Sequence, residues 1–433
     1  VRSTIWGIAL KGVAEDPLTG WGQEGFNQIF NKYYEPSLYA QEAWFDRAHS
    51  MYIDYLVAGG VPALALFVLL LAAAMLAVLR TDQYTRTERV LLIAALAAYA
   101  VQALVVFDNL FSYVPLVMIL AMAHKGSSKP VGALEKLPEV TSDTHVSIAS
   151  AVALGVAVVL IVMVNVPSIR AANHLVYALS PSPRGVDTNL ALFKDALADG
   201  SFGSQEIREQ LVSFAGRVGA EESLPEPLRA EFVTFAIEEM GREVAASPND
   251  ARLRLQHANA YSTAGDDERA LEQINKALEL SPYKQAIYLT KAFKLIELER
   301  REEARAVLRA AYDLDPSFDD LAITVAAGYI VSGDVAGAKA LLVETIGTTT
   351  PDNEQLFFAY YQTKQWPELV AVARARVVTE KGSPVSRFRL AQSLAAAGRF
   401  PEAIAEVQAT MAANPSARAD GEALLKQIMK PAQ

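Results

Sequence analysis

Long uncharged apolar runs between residues 61 and 166 constrain this chain more than any other feature of its sequence. The first run, 61–79, holds 19 residues without a charge. At about 1.5 Å per residue in a helix, that length crosses the hydrocarbon core of a bilayer. The sequence therefore predicts a transmembrane region over 56–167 with about four spans, at 61–79, 90–107, 111–123 and 148–166, the last ending at Pro167.

The positive charges between these runs predict how the spans are oriented. Lysine and arginine concentrate in short cytoplasmic loops, and the loops 80–89 and 124–147 carry three each, whereas the break at 107–110 carries none. Residues 1–53 and everything after 168 are then predicted to be extracytoplasmic, provided that 111–123 crosses the membrane. That run is short and contains a proline, so a re-entrant segment is the alternative. The six charges are Arg80, Arg86, Arg89, Lys125, Lys129 and Lys136.

Beyond residue 168 the pattern changes to amphipathic helices with a repeat. Pro248, Pro282 and Pro316 are 34 residues apart, which is the period of the tetratricopeptide repeat. Small residues recur at fixed offsets from each proline, and glycines at 265, 333 and 398 mark a turn inside each helix pair. We predict a tetratricopeptide-repeat α-solenoid over 248–433, preceded by degenerate helical hairpins over 168–247. The recurring alanines are Ala258, Ala270, Ala292, Ala304, Ala326, Ala338, Ala391 and Ala403.

Reactive side chains concentrate in one stretch, residues 44–54, directly before the first apolar run. Asp46, Arg47, His49 and Asp54 lie there together. A metal site needs more ligands of suitable type than this stretch supplies, and a serine hydrolase needs a nucleophile elbow that the sequence lacks. Two interpretations stay open from the residues alone. One is a structural ion pair between Asp46 and a nearby arginine. The other is glycosyl transfer from a lipid diphosphate, with guanidinium groups on the phosphates and an imidazole as base.

A family resemblance favours the second interpretation. Residues 1–125 resemble the extracytoplasmic loop and following spans of the O-antigen ligase family, which includes O-antigen polymerases and bacterial protein O-oligosaccharyltransferases. Ser50 departs from the family pattern, where asparagine is usual. The matching positions are Arg2, Trp6, Pro17-Leu18-Thr19-Gly20-Trp21-Gly22, Phe26, Asp46-Arg47-Ala48-His49-Ser50, Asp54, Gly59-Gly60 and Phe107-Asp108-Asn109.

The resemblance implies a metal-independent, GT-C-type membrane glycosyltransferase in the bacterial cytoplasmic membrane. The donor would be a glycan linked to undecaprenyl diphosphate, and the acceptor a lipid, a sugar or a protein hydroxyl. Residues 1–55 would form its extracytoplasmic catalytic loop. His49 and Arg2 match the catalytic positions, and Arg2 and Arg47 would bind the diphosphate. Supporting roles fall to Asp46, Asp54, Trp6 and Ser50. No metal and no cofactor is expected.

The remaining expectations concern class and partners. The fold class is all-α, with polytopic membrane helices followed by the repeat solenoid. A formal charge of −10 argues against a general nucleic-acid binder, while membrane lipid and a protein bound by the repeats are expected partners. A chain that begins with Val1 inside the loop suggests that earlier spans are missing. The alternative function is a membrane-anchored tetratricopeptide-repeat scaffold for protein interaction with a vestigial loop.

Overall fold

A computed structural model describes residues 1–41, 44–127 and 142–429 of the chain. Lys129 and Lys136, predicted to mark a cytoplasmic loop, lie outside the described residues. The described residues form α-helices with two short 3₁₀ helices and no β-strand, so the predicted all-α class is confirmed. Their contacts define two compact units. One comprises residues 1–35 and 41–282, and the other comprises 36–40 and 283–433.

The first unit begins with short helices, continues with long apolar ones and ends in helical hairpins. Its helices are α1 (Arg2–Glu15), α2 (Phe26–Lys32), α3 (Met51–Arg80), α4 (Arg86–Gln102), α5 (Leu110–Ser127), α6 (Asp143–Leu179), α7 (Val186–Ala198), α8 (Ser204–Ala220), α9 (Glu226–Ala246), α10 (Ala251–Thr263) and α11 (Asp267–Leu280).

The second unit holds the later repeats as successive helix pairs. The short segment 36–40 belongs to it, with a 3₁₀ turn at Pro36–Leu38. The remaining elements are α12 (Gln285–Glu297), α13 (Arg301–Asp313), α14 (Asp319–Val331), α15 (Val335–Ile346), α16 (Glu354–Gln362), α17 (Trp366–Thr379), α18 (Pro384–Ala396), α19 (Phe400–Ala413), the 3₁₀ turn Pro415–Ala417 and α20 (Arg418–Met429).

Two of the helices, α3 and α6, are long and apolar enough to cross a membrane. The most apolar stretch of α6 is entirely exposed within the described chain. So large an apolar surface is unfavourable in water and suits contact with lipid. A shorter apolar helical stretch covers Leu110–Lys125, and α4 overlaps the predicted span at 90–107. The chain therefore has the character of a membrane protein, while the arrangement of four spans stays a prediction.

The helix that contains the last predicted span does not end at Pro167. Proline often ends a helix, because it lacks the amide hydrogen that an inner helical turn requires. Instead α6 continues through Pro167 to Leu179. Its last turns pack Ala171 and Ala178 against Leu190 and Phe193 of α7 in one buried cluster. The C-terminal part of the apolar helix α6 is therefore also the first helix of the first helical hairpin, with no loop between the two parts.

The repeat register predicted from the alanines is confirmed. In the first unit, Ala258 of α10 and Ala270 of α11 are buried. In the second, Ala292, Ala304, Ala326, Ala338, Ala391 and Ala403 are all completely buried. The turn glycines Gly265, Gly333 and Gly398 each have a positive φ, which glycine adopts without a steric penalty. Small side chains therefore lie where paired helices approach each other.

A pair of alanines on α13 tests this register. Ala304 is completely buried, whereas Ala310 is exposed on the same helix. Ala304→Leu should overpack the contact and lower the free energy of unfolding by about 1–3 kcal/mol. Ala310→Leu makes the same change in helix propensity at an exposed position and should alter the free energy of unfolding little. Thermal unfolding of the purified protein in detergent measures both effects, and equal melting temperatures for the two variants would contradict the register.

Candidate functional site

Helix α1 ends at Glu15, and a compact turn at residues 17–22, the 17–22 turn, follows it. Asp16 starts this turn: its carboxylate accepts hydrogen bonds from the backbone N–H and the hydroxyl of Thr19, at 3.2 and 2.7 Å. These bonds lower the pKa of Asp16, since they favour the charged form. The Trp21 indole donates to the carbonyl of Gly12 at 2.8 Å, which fixes the turn against α1.

The 17–22 turn is joined to an opening in α3. Residues Gly59 and Gly60 leave helical geometry there, and Gly60 has φ 66° and ψ −165°, which is accessible essentially only to glycine. The freed backbone groups pair with the turn. Trp21 N donates to the carbonyl of Val57 at 2.7 Å, Gly22 N to that of Ala58 at 3.0 Å, and Val61 N to that of Pro17 at 2.8 Å. We call this set of bonds the glycine junction.

The reactive residues lie on a second turn, residues 46–50, which precedes α3. Its central residue, Ala48, is completely buried and hydrogen-bonded on both sides. The indole N–H of Trp6 donates to the Ala48 carbonyl at 3.0 Å, and the Ala48 N–H donates to Asp54 Oδ1 at 3.0 Å. Trp6 belongs to α1 and Asp54 to the first turns of α3. Side chains of two helices therefore hold the 46–50 turn by its backbone. These two hydrogen bonds do not involve the side chains of Arg47 and His49.

His49 and Arg47 share one aromatic neighbour. The His49 ring lies 5.4 Å from the ring of Phe107 and 5.9 Å from that of Phe45. The Arg47 guanidinium lies 5.3 Å from the Phe107 ring, within cation–π range. His49 also has φ 55°, an uncommon backbone for a non-glycine residue. Such a conformation persists where its surroundings impose it, and it directs the imidazole toward these two rings.

A small cavity of about 120 Å³ adjoins the 46–50 turn. Asp46, Arg47 and Asp54 line it, together with Tyr55 and Tyr113 from α3 and α5. Asp54 Oδ1 is held by Ala48, while its other oxygen, Oδ2, is buried with no hydrogen-bond partner in the described chain. The cavity thus presents one guanidinium and two carboxylates. It can hold a polar group of modest size beside Arg47.

The other predicted site residues have different positions. Arg2 is exposed on the first turn of α1, one helical turn before Trp6. Residues four apart lie on the same helix face, so Arg2 projects from the side of α1 that contacts Ala48. Ser50 is buried, and its carbonyl accepts from the Asp54 N–H at 2.8 Å. It caps the start of α3 through its backbone. The structure brings Asp46, Arg47 and Asp54 to one cavity and places Trp6 against the turn.

The structural ion pair that was the alternative interpretation for Asp46 does not occur among the described residues. Among the described residues, no arginine approaches Asp46 within 4.0 Å, although such pairs are frequent elsewhere in the chain. The described residues also contain no group of three or more histidine, aspartate or glutamate side chains arranged to hold a metal ion. Arg47 is thus not neutralised by its neighbour in sequence.

Four aromatic residues of the loop are buried and pack together. The ring centroids lie between 5.2 and 6.2 Å apart, and each pair includes Phe30. The rings form a packing core for α2, while Phe26 also lines the small cavity and Phe45 lines a larger one. Trp44 lines the larger cavity as well. The packed rings belong to Phe26, Phe30, Tyr34 and Phe45.

Sequence reasoning missed the roles of several residues after the first span. Phe107 was noted only as part of a polar break, yet its ring contacts both His49 and Arg47. Asp108 is buried and accepts a hydrogen bond from the Tyr99 hydroxyl at 2.5 Å and one from Ser112 at 2.8 Å. A carboxylate between apolar runs is itself a signal of a buried polar role, and that signal could have identified this region as part of the site.

Comparison with known families agrees with both halves of this description. Residues 1–68 match the O-antigen ligase family, and residues 251–284 match a tetratricopeptide repeat. The predicted O-antigen ligase segment followed by tetratricopeptide repeats is therefore confirmed. The first match contains α1, the 17–22 turn, the 46–50 turn and the glycine junction. It indicates a glycosyltransferase-type function, while the second indicates a role in protein interaction.

Curated proteins are similar to parts of this chain. The TPR repeat-containing protein YpiA of Bacillus subtilis (strain 168) is 28% identical over 167 residues, which cover 36% of this chain and 38% of that protein. A protein SGT1 homolog of Oryza sativa subsp. japonica is 38% identical over 85 residues, covering 20% of this chain and 21% of that protein. The chain thus spans well under half the length of these curated relatives.

Solved structures of low sequence identity also resemble the chain. A tetratricopeptide repeat protein from Parabacteroides merdae ATCC 43184 has 12% identity and a TM-score of 0.36, with 60% of this chain and 99% of that chain covered. Yeast Tom70 has 13% identity and a TM-score of 0.30, with 98% and 96% covered.

Two glycines test whether the glycine junction holds the site together. A Cβ on Gly60 would lie 2.5 Å from the carbonyl oxygen of Pro17, whereas a Cβ on Gly22 meets nothing within 4 Å. Both have positive φ, so alanine is strained at either position. Gly60→Ala should also expel the 17–22 turn and expose the chain near Arg47. We expect faster tryptic cleavage after Arg47 in Gly60→Ala than in Gly22→Ala, measured by mass spectrometry. Equal cleavage rates would show that the junction does not support the turn.

Proposed function

We propose that the protein is an O-antigen ligase-like membrane glycosyltransferase that moves a glycan from undecaprenyl diphosphate to an acceptor hydroxyl. The acceptor is a lipid, a sugar or a protein. The observation that carries the proposal is the double anchoring of Ala48 by Trp6 and Asp54. It fixes the turn that carries Arg47 and His49 to the helix that carries Arg2, within the segment that matches the family.

The proposed reaction uses two kinds of group. The acceptor oxygen attacks the anomeric carbon of the glycan, and the bond from that carbon to the phosphate oxygen breaks. The acceptor proton passes to the His49 imidazole, and undecaprenyl diphosphate leaves with the bonding electron pair. Arg47 and Arg2 offset the charge that grows on the leaving phosphate, because a guanidinium matches phosphate oxygens with two parallel hydrogen bonds. The roles assigned to all three residues are proposals.

Substitution of His49 tests the proposed base. Its left-handed backbone makes asparagine the better replacement, since asparagine tolerates that conformation and cannot accept the proton in the same way. We expect His49→Asn and His49→Ala each to lower transfer by about 10²–10⁴-fold, the range for general base catalysis. His145→Ala, at an exposed histidine near the start of α6, should leave transfer unchanged. The measurement is transfer from an undecaprenyl-diphosphate-linked glycan by the full-length protein in native membranes. Near-normal transfer by His49→Asn would remove the base.

The same transfer assay also tests the proposed roles of the arginines and the absence of a metal ion from the mechanism. Arg2→Lys should also reduce transfer, because lysine keeps the charge and loses the bidentate geometry, whereas Arg86→Lys between the first two predicted spans should not. Transfer should survive chelators, as the proposed mechanism uses guanidinium groups where other enzymes use metal ions. Loss of transfer on chelation would contradict the metal-independent mechanism.

The proposed location is the bacterial cytoplasmic membrane, crossed several times, with residues 1–55 and the repeats on the extracytoplasmic side. Support comes from the basic loops at 80–89 and 124–147, which favour the cytoplasm. Reporter fusions at Gly126 and Gly265 should then report opposite sides of the membrane. If both fusions report the same side, an even number of spans or none separates the two positions, and the proposed topology is wrong.

The repeats supply a second candidate function, a membrane-anchored scaffold that binds a protein. The match at 251–284 favours it, since stacked helix pairs of this kind commonly bind proteins. The two functions are compatible when the scaffold brings an acceptor or a partner enzyme to the loop. A pure scaffold predicts no effect of His49→Asn on the cell's glycan products, and this separates the two candidates.

A further inference from the structure

A second cavity also has Asp46 in its lining and has no role in the reaction described so far. Its volume is about 510 Å³, within the range of small-ligand sites. Its walls come from two parts of the first unit that are far apart in sequence. Asn27, Asn31 and Trp44 belong to the loop around α2, whereas Phe202 and Gln205 belong to the start of α8, beyond the last apolar helix.

The lining combines amides with aromatic faces. Asn31 is 1% exposed, and its Oδ1 has no hydrogen-bond partner in the described chain. Asn27 donates from Nδ2 to Asp250 at 2.8 Å, which fixes its amide, and its Oδ1 is likewise buried and unpartnered. Buried acceptors of this kind are normally satisfied. Both oxygens are covered in the present conformation. A ligand hydroxyl would reach the Asn31 oxygen after rotation of that side chain, while Asn27 stays held by Asp250.

Phe202 supports the same interpretation. It is 89% exposed at the cavity wall, where an isolated large aromatic side chain gains nothing from packing. An exposed aromatic face suits stacking against the apolar face of a sugar ring, and Trp44 offers a second ring in the same cavity. Gln205 holds its amide through a hydrogen bond to Glu209 at 3.0 Å. Aromatic faces with oriented amides recognise neutral polyhydroxyl compounds.

The charges of the cavity distinguish its ligand from the diphosphate. Glu24, Asp46 and Asp250 contribute carboxylates to the wall. The cation there, Arg252, is paired with the carboxylate of Glu209. Asp250 is engaged at the start of α10, where it accepts from the Arg252 N–H at 2.8 Å. The carboxylates would therefore repel a phosphate, whereas they would not repel an uncharged sugar.

Asp46 links this cavity to the reaction site, since it lines both the 510 Å³ and the 120 Å³ cavities. We propose that the larger cavity is a subsite for an uncharged oligosaccharide, bound by Asn27, Asn31, Trp44 and Phe202, beside the proposed site of transfer. The helical hairpins after the membrane region then contribute directly to glycan binding through Phe202 and Gln205. This proposal deepens the proposed function and rests on it for the identity of the glycan as a substrate.

Binding of a phosphate-free glycan tests the subsite independently of transfer. The probe is the oligosaccharide released by mild acid from the cell's own lipid-linked glycan pool, and binding to the full-length protein in detergent is measured by saturation-transfer NMR and by calorimetry. Wild type should bind it. Phe202→Ala and Asn31→Leu should each weaken binding by about tenfold, the loss expected for one stacked ring or one buried hydrogen bond. Phe400→Ala, at another exposed phenylalanine, is the matched control and should bind normally.

The outcomes separate this proposal from the function itself. Phe202→Ala should raise the KM for the glycan substrate with little change in kcat, whereas His49→Asn should bind the free oligosaccharide like wild type and fail in transfer. Active transfer by His49→Asn would overturn the mechanism and leave the subsite intact. The subsite is overturned if wild type does not bind the oligosaccharide, if Phe202→Ala binds it as tightly as wild type does, or if inorganic pyrophosphate displaces it.

Discussion

The glycine junction is the constraint on which the candidate site depends. The unwound backbone of α3 at Gly59 and Gly60 leaves carbonyl and N–H groups that a regular helix would pair internally, and the 17–22 turn pairs with them. Unpaired backbone groups in an apolar environment are costly, so the turn and the opening stabilise each other. Trp21 extends the connection to α1 through Gly12. These contacts fix α1, which carries Arg2, relative to α3, which carries Asp54, without involving a reactive side chain.

Much of this was predictable because the signals are local. The positive φ of the turn glycines Gly265, Gly333 and Gly398 and the burial of the repeat alanines each follow from a few neighbouring residues. Proline and glycine restrict or release φ wherever they occur, and a 34-residue period reports one helix pair without knowledge of its neighbours. The 46–50 turn was also found from sequence, since charged residues beside an apolar run are conspicuous.

The rest depends on contacts between distant residues. Nothing near Phe107 in sequence reveals that its ring lies between His49 and Arg47. The continuation of α6 through Pro167 depends on packing against α7, which outweighs the local preference of proline. Which aromatic residues of the loop pack together and which border a cavity likewise depends on distant contacts, since Phe30 is buried among other rings while Trp44 lines a cavity. These roles depend on which residues are buried against distant parts of the chain. The periodicity of apolar residues in the sequence does not report such contacts.

The central claim is that the 46–50 turn and the first turn of α1 together hold a lipid diphosphate with its glycan facing His49. The most direct test is a cryo-electron-microscopy structure of the full-length protein in lipid nanodiscs with bound undecaprenyl diphosphate. The account predicts phosphate oxygens within hydrogen-bond distance of the Arg47 and Arg2 guanidinium groups, with the His49 imidazole on the acceptor side of the departing oxygen. Diphosphate density away from both arginines, or a His49 ring still enclosed by Phe45 and Phe107 with no path to the acceptor, would contradict it.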